Sequence, residues 1–98
     1  MYNILQFEWD PAKDTANQEK HGVPLVEAVS VFSDSSAGEF ADPDHSREEE
    51  RLLLLGISGR LRVLVVCFCL RRTGNAVRII SARKANEQEE KEYWRMRP

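Results

Sequence analysis

The side chains whose types and spacing bear on chemistry are cations. Between residues 51 and 86 the chain carries Arg51, Arg60, Arg62, Arg71, Arg72, Arg78, Arg83 and Lys84, and no Asp or Glu. The flanks are acidic: residues 1–50 carry a net −9 and residues 87–98 a net −1, so the overall −2 conceals a block of +8. Such a block sets up a local field that draws phosphate groups even to a chain acidic overall. Composition leaves the opposite outcome equally open, in which the acidic half folds back and neutralises the block.

Arg83 and Lys84 stand out because they are adjacent and end a strand-like run just before a helix. Neighbours on a strand face opposite ways, so one can reach a phosphate while the other braces the fold or meets Glu87 or Glu89. His21 and His45 are the two histidines. His21 closes a helix, where the dipole attracts a cation; it either serves as acid, base or phosphate clamp, or hydrogen-bonds the last carbonyls. His45 follows a turn in an acidic loop and faces either a substrate or solvent. Arg51 follows three glutamates, which makes it a phosphate contact or an ion-pair partner of Glu48 or Glu50. Arg71 and Arg72, in a loop with Gly74 and Asn75, suit contact with a nucleic-acid backbone or are ordinary loop arginines. Arg60, Arg62 and Arg78 read as solvated strand-face charges. Tyr93 and Trp94 either stack on a base or pin the last helix to the sheet, and Trp94 is assigned to pinning.

Metal and disulfide chemistry find little support. Cys67 and Cys69 sit two apart on one face of a strand, a spacing that does not favour a disulfide. With no further cysteine they make a poor zinc site, and two buried thiols in a reducing cytosol is the expectation.

The elements that must position these residues follow from patterning. Ninety-eight residues, 42% hydrophobic and 31% charged, suit one soluble domain spanning 1–98. The N-terminus lacks a basic stretch followed by an apolar one, and no apolar run approaches the roughly 20 residues of a membrane span, so a cytoplasmic protein is expected. Phe7 to Trp9 is a short strand or extended lead-in. Asp10 caps and Pro11 opens a first helix that ends at Lys20–His21 before Gly22. This helix is polar, with only Ala12 and Ala16 as an apolar stripe, so Trp9 and Val23 must dock it from its flanks. Pro24 opens a second helix with Leu25, Ala28, Val29 and Phe32 on one face. Residues 37–50 read as acidic and turn-rich, with a capping pattern at Ser46 to Glu49. Three strands follow, Arg51–Ser58, Leu61–Leu70 and Ala76–Arg83; their short connections imply an antiparallel meander. Both alternation sets of the second strand are apolar, so it is central. Asn86 and Glu89 form the capping box of a final helix. The expected fold is α+β: two N-terminal helices and a C-terminal helix packed on a twisted antiparallel sheet with a three-strand meander core.

With the elements placed, the chain resembles the BrnT family of type II toxins. The resemblance is carried by Trp9-Asp10-Pro11-Ala12-Lys13, Asn17, Lys20-His21-Gly22-Val23 and Glu27-Ala28, then Asp42-Pro43-Asp44-His45-Ser46 with Glu50-Arg51, then Arg78-Ile79-Ile80-Ser81-Ala82-Arg83-Lys84-Ala85 with Tyr93 behind it. It implies a RelE-like fold and RNA cleavage that slows translation and growth, with no metal or organic cofactor. It also implies a BrnA-type antitoxin with a ribbon-helix-helix DNA-binding part, through which alone the complex would touch operator DNA.

Metal-independent RNA cleavage uses the substrate's own 2′-hydroxyl as nucleophile. The enzyme helps deprotonate it, stabilises charge on the phosphorus oxygens and protonates the leaving 5′-oxygen. The candidate catalytic residues are His21, Arg83, Lys84, His45 and Arg51; the candidate RNA-binding residues are Lys20, Arg71, Arg72 and Tyr93. The Arg83/Lys84 end of the sheet is expected to face the same cleft as His21. Two rivals stand beside this reading: a non-catalytic module that only binds the antitoxin or acts as co-repressor, and a structural protein whose basic face pairs with its own acidic half.

Overall fold

The computed structural model describes residues 6–43, 51–71 and 75–98. Its centre is the apolar stretch between Leu52 and Lys84, which forms β3 (Leu52–Ile57), β4 (Val63–Leu70) and β5 (Ala76–Lys84), neighbours in chain order and antiparallel. Two further strands widen the sheet to five in the order β1-β5-β4-β3-β2. β1 (Gln6–Glu8) runs parallel to β5, so the sheet is mixed rather than wholly antiparallel. β2 (Gly38–Ala41) pairs antiparallel with β3 and forms one edge. This corrects the turn-rich reading at residues 38–41, which continue the β3 ladder with Glu39 and Phe40 alternating across it, while the capping pattern expected at Ser46 to Glu49 lies outside the described residues.

The sheet carries helices on both faces. α1 (Pro11–His21) and α2 (Leu25–Val31) lie on one side, and α3 (Glu87–Met96) on the other. The helical face collects Leu54, Leu64, Val66, Phe68, Val77, Ile79 and Ala82 against Val23, Leu25, Ala28 and Val31. The α3 face collects Leu55, Val63 and Val65 against Tyr93. β4 is buried from Val63 to Cys69, as two apolar alternation sets require. Phe32 joins the layers, edge-on to Phe7 at 5.1 Å and to Phe68 at 5.0 Å between ring centres.

Local chemistry fixes the ends. Asp10 Oδ1 accepts from Ala12 N–H at 2.9 Å, and Gly22 terminates α1 at φ 69°, a conformation that costs glycine little. Ala12 and Ala16 are exposed, so the expected apolar stripe is not what docks α1. The helix is held by Asn17 and by its flanks, Trp9 and Val23. Gly56 lets the end of α2 press on β3, since a Cβ there would meet Val31 Cγ1 and Ala37 Cβ at 2.9 Å. α3 opens with the Asn86–Glu89 capping box.

One irregularity decides which side chains share a face. Cys67 pairs with Ser81 but Phe68 pairs with Ile79, so Ile80 bulges out of β5. Val77 and Ile79 therefore face the helices, and after the bulge so do Ala82 and Lys84, while Arg83 turns to α3.

Candidate active site

The ends of α1 and β5 are joined by a side chain that imitates a strand. Asn17 Nδ2 donates to the Ala82 carbonyl at 2.8 Å, and its Oδ1 accepts from Ala82 N–H at 3.2 Å. β1 covers only Ala76 to Arg78, so this amide completes the β5 edge where the strand partner has run out. Nδ2 also donates to the Val23 carbonyl at 2.8 Å, which ties down the chain leaving α1.

From that junction both chains advance in the same direction. His21 lies one turn beyond Asn17, about 6 Å along the helix. Lys84 lies two residues beyond Ala82, about 7 Å along the strand. Lys84 pairs with Leu64, a residue of the helical face, so its side chain leaves the sheet on the α1 side. Arg62 closes the third side: its Nη2 donates to the Gly22 carbonyl at 3.3 Å, while the next residue, Val63, accepts from Ala85 N–H at 2.9 Å. His21, half-buried, Lys20, exposed, and Lys84, exposed, thus share one corner.

Arg62 is not the solvated charge that its strand-end position suggests. Its guanidinium forks onto Glu27, with Nη2 to Oε1 at 2.5 Å and Nε to Oε2 at 3.0 Å; the Glu27 side chain is 3% exposed. Ser58 Oγ donates to Glu27 Oε2 at 2.7 Å, and Arg60 stands 3.8 Å from Oε1. The Arg62 fork holds the Glu27 carboxyl below its ordinary range against the opposing effect of burial, and Glu27 in turn raises Arg62. The carboxylate comes from α2 and the guanidinium from the lead into β4, so the pair fixes the wall beside His21.

Arg83 is likewise engaged, on the other side of the sheet. It meets Glu89 in a two-pronged pair, Nη1 to Oε1 at 2.7 Å and Nη2 to Oε2 at 2.8 Å. That hydrogen bonding lowers Glu89 and raises Arg83. Glu89 Oε1 also accepts from Asn86 N–H at 2.8 Å, so Arg83 anchors α3 at its first turn. Lys84 has no carboxylate partner among the described residues.

The remaining sequence-derived residues fall elsewhere. Arg51 lies beyond Leu52, which pairs with Phe68; Lys84 pairs with Leu64, four residues or about 13 Å away along β4. The structure therefore does not bring Arg51 to the corner. Arg71 pairs with Glu8 at 3.0 Å, both half-exposed. His45 and Arg72 lie outside the described residues. Tyr93 corrects the stacking expectation: its side chain is fully buried, its hydroxyl donates to Asp34 Oδ2 at 2.6 Å, and it offers no face to a base. Trp94, expected to pin α3, is 48% exposed instead. Asn17 and the Glu27–Arg62 pair are the positioning groups that patterning missed. The one available signal was a polar helix, α1, with no apolar stripe adequate to hold it.

Among the described residues no three His, Cys, Asp or Glu side chains converge as a metal centre. Cys67 and Cys69 are free and buried, and burial, aided by Asp42 Oδ2 at 3.5 Å, pushes the Cys67 thiol up to about 12. A thiol so disfavoured as thiolate is a poor nucleophile. No helix among the described residues is long and apolar enough to cross a membrane.

A basic corner on an α+β scaffold is common to many phosphate-handling proteins, and the family comparison narrows the choice. Residues 9–89 match the family model of BrnT, the ribonuclease toxin of type II toxin-antitoxin systems. The chain belongs to the BrnT family. The 1.1 Å crystal structure of the Brucella abortus ribonuclease toxin BrnT is similar in fold: TM-score 0.64 and 25% identity, covering 85% of this chain and 99% of that one. No curated protein matches the sequence. As a BrnT-family chain the protein is a ribonuclease toxin of a type II system, with an antitoxin partner and an RNA target. The matched span includes His21, Lys84 and the Asn17, Glu27 and Arg62 side chains that frame them.

Proposed function

We propose that this BrnT-family chain is a metal-independent endoribonuclease of RelE-like fold, a single domain that inhibits translation and growth in the cytoplasm and is neutralised by a BrnA-type antitoxin. The observation that carries the catalytic reading is the corner itself. His21 and Lys84 lie where α1 and β5 are locked together, and Lys84 has no carboxylate partner among the described residues, whereas Arg60, Arg62, Arg71 and Arg83 have one each.

In this mechanism the RNA phosphate seats at Lys84. The 2′-oxygen attacks phosphorus as its proton leaves to a base, and the P–O5′ bond breaks as the 5′-oxygen takes a proton. Lys84 stabilises the charge gathered on the non-bridging oxygens. His21 supplies the imidazole at the corner and acts as acid or base. Lys20 binds the backbone beside it. Arg71 adds a further phosphate contact, since its exposed pair with Glu8 is weak enough to yield. His45 is kept as a proposed proton-transfer partner and Arg72 as a proposed backbone contact. Arg83 acts indirectly, by holding α3.

A second reading has its own observation in favour. Among the described residues at least four arginines of the basic block already meet carboxylates, which leaves fewer cations for a substrate. On that reading the chain is a non-catalytic module that binds antitoxin and co-represses its operon, touching operator DNA only through the antitoxin. Purified protein with labelled single-stranded RNA and a chelator separates the two. Cleavage by the wild type, lost in Lys84→Ala and His21→Ala variants of unchanged melting temperature, is the expected result. A folded wild type that cuts neither free RNA nor ribosome-bound message would leave the binding module.

A further inference from the structure

The family requires an antitoxin, but the corner at His21 is not the only surface suited to a partner. We propose that the antitoxin seats on the open edge of β2, as an extended segment of alternating basic and apolar residues that adds a strand to the sheet. This rests on the antitoxin-binding part of the proposed function and assigns it a place.

β2 ends the strand order, with β3 on one side only. Asp42 N–H donates to the Arg51 carbonyl at 3.2 Å, which sets the hydrogen-bonding parity of the ladder. By that parity Gly38 and Phe40 turn their backbone groups to β3. Glu39 and Ala41, both exposed, turn theirs outward. An edge left this way is a template for a further strand.

Grooves flank this edge on both faces. On the helical side a groove of about 460 Å³ is floored by Val31, Phe32 and Leu54, with Asp34 and Glu39 along it. On the α3 side one of about 250 Å³ is floored by Phe40, Leu53 and Leu55, with Glu89 and Glu92 along it. A strand laid along β2 would drop alternate side chains into the two grooves, the arrangement that gives strand addition its specificity.

Charge selects the occupant. The two grooves present four carboxylates and no Lys or Arg. Arg83 and Arg95 partly offset Glu89 and Glu92, but Glu39 has no cationic partner among the described residues. An acidic rim repels RNA. It also disfavours a second copy, because symmetric β2-to-β2 pairing would bring the two Glu39 side chains together. A basic, partly apolar segment of a different protein fits.

The test uses the full chain copurified with the antitoxin of its operon. Hydrogen exchange of residues 38–41 should slow at least tenfold in the complex. Ala41→Pro removes an outward N–H that the edge can spare, and Glu39→Lys reverses the charge. Each should weaken antitoxin binding at least tenfold, with melting temperature and RNA cleavage unchanged. Undiminished affinity in Glu39→Lys, with or without a folded Ala41→Pro, overturns this placement while leaving the toxin reading intact. So does loss of RNA binding in place of antitoxin binding, or a concentration-dependent dimer of the free chain that Glu39→Lys dissociates. A wild-type chain that binds no antitoxin overturns this placement together with the antitoxin-binding part of the proposed function, and leaves RNA cleavage to its own test.

Discussion

The amide of Asn17 bonds to both backbone groups of Ala82, accepting from its N–H and donating to its carbonyl, and so serves as the missing strand at the edge of β5. The same Nδ2 reaches Val23, and all three residues are buried. Asn17→Ala should therefore cost more than one hydrogen bond, because the Ala82 N–H and two carbonyls lose their partner without gaining water. The expected loss is about 3 kcal/mol, measured by urea unfolding. RNA cleavage should fall as well at temperatures where the variant is still folded, since Asn17 sets where His21 stands relative to Lys84. A loss under about 1 kcal/mol would show that the junction is held by apolar packing alone.

Arg83 and Lys84, adjacent in sequence, should separate cleanly in mutagenesis. Lys84→Ala is expected to lower cleavage by at least tenfold, with stability within about 0.5 kcal/mol of wild type, as befits an exposed residue. Arg83→Ala should do the reverse. It removes the fork on Glu89 and loosens α3, costing about 1 kcal/mol after allowance for its 41% side-chain exposure. Parallel melting curves and cleavage rates on the two single variants decide this, and equal catalytic losses would place both side chains on the substrate.

That separation also marks how far the sequence could be read. Helix limits were legible because capping chemistry is local: Asp10 with Pro11, Gly22, and Asn86 with Glu89 each announce themselves. The centrality of β4 was legible from its two apolar alternation sets. Strict alternation, however, puts Arg83 on the side of Val77 and Ile79. The bulge at Ile80 reverses that, leaving Lys84 on the helical face and Arg83 under α3. No residue type in Ile79-Ile80-Ser81 signals a bulge. β2 was hidden because Gly38-Glu39-Phe40-Ala41 is short and gains stability only from the β3 ladder. The Glu27–Arg62 pair joins residues thirty-five apart in sequence, so charge counting alone could not distinguish it from two solvated side chains.

Tyr93 and Trp94 should differ in the sense opposite to their sizes. The Tyr93 hydroxyl donates to Asp34 Oδ2 at 2.6 Å and accepts from Arg97 Nη1 at 2.8 Å, in a fully buried side chain. Tyr93→Phe keeps the ring but takes a donor from Asp34, and is expected to cost about 1–2 kcal/mol. Trp94→Ala removes a ring that rests edge-on against Tyr93, with centres 5.0 Å apart, but is 48% exposed. It should cost about 0.5–1 kcal/mol. Chemical unfolding of the two variants ranks them, and a larger cost for Trp94→Ala would mean that α3 is held by its outer ring.

Acid should unfold the protein through three carboxyls held below their ordinary values. For Glu27 the Arg62 fork is the leading cause, opposed by burial and aided by Ser58. For Glu89 it is Arg83, again opposed by burial. For Asp34 burial pushes upward but is outweighed by donors from Tyr93, Ile57 and Ser36. In the unfolded chain these groups return to 4.5 for the glutamates and 3.8 for the aspartate. Because each folded value is the lower one, their stabilisation is complete above about pH 5 and drains as pH falls through the folded values. The urea midpoint should hardly change between about pH 8 and 5 on their account, then drop steeply below about pH 4. Glu27→Gln isolates the share of the Arg62 pair. It should cost about 3 kcal/mol at neutral pH by leaving Arg62 without its counter-charge, and it should flatten the acid limb. An acid limb as steep in Glu27→Gln as in the wild type would exclude the Glu27–Arg62 pair as a source of the pH dependence.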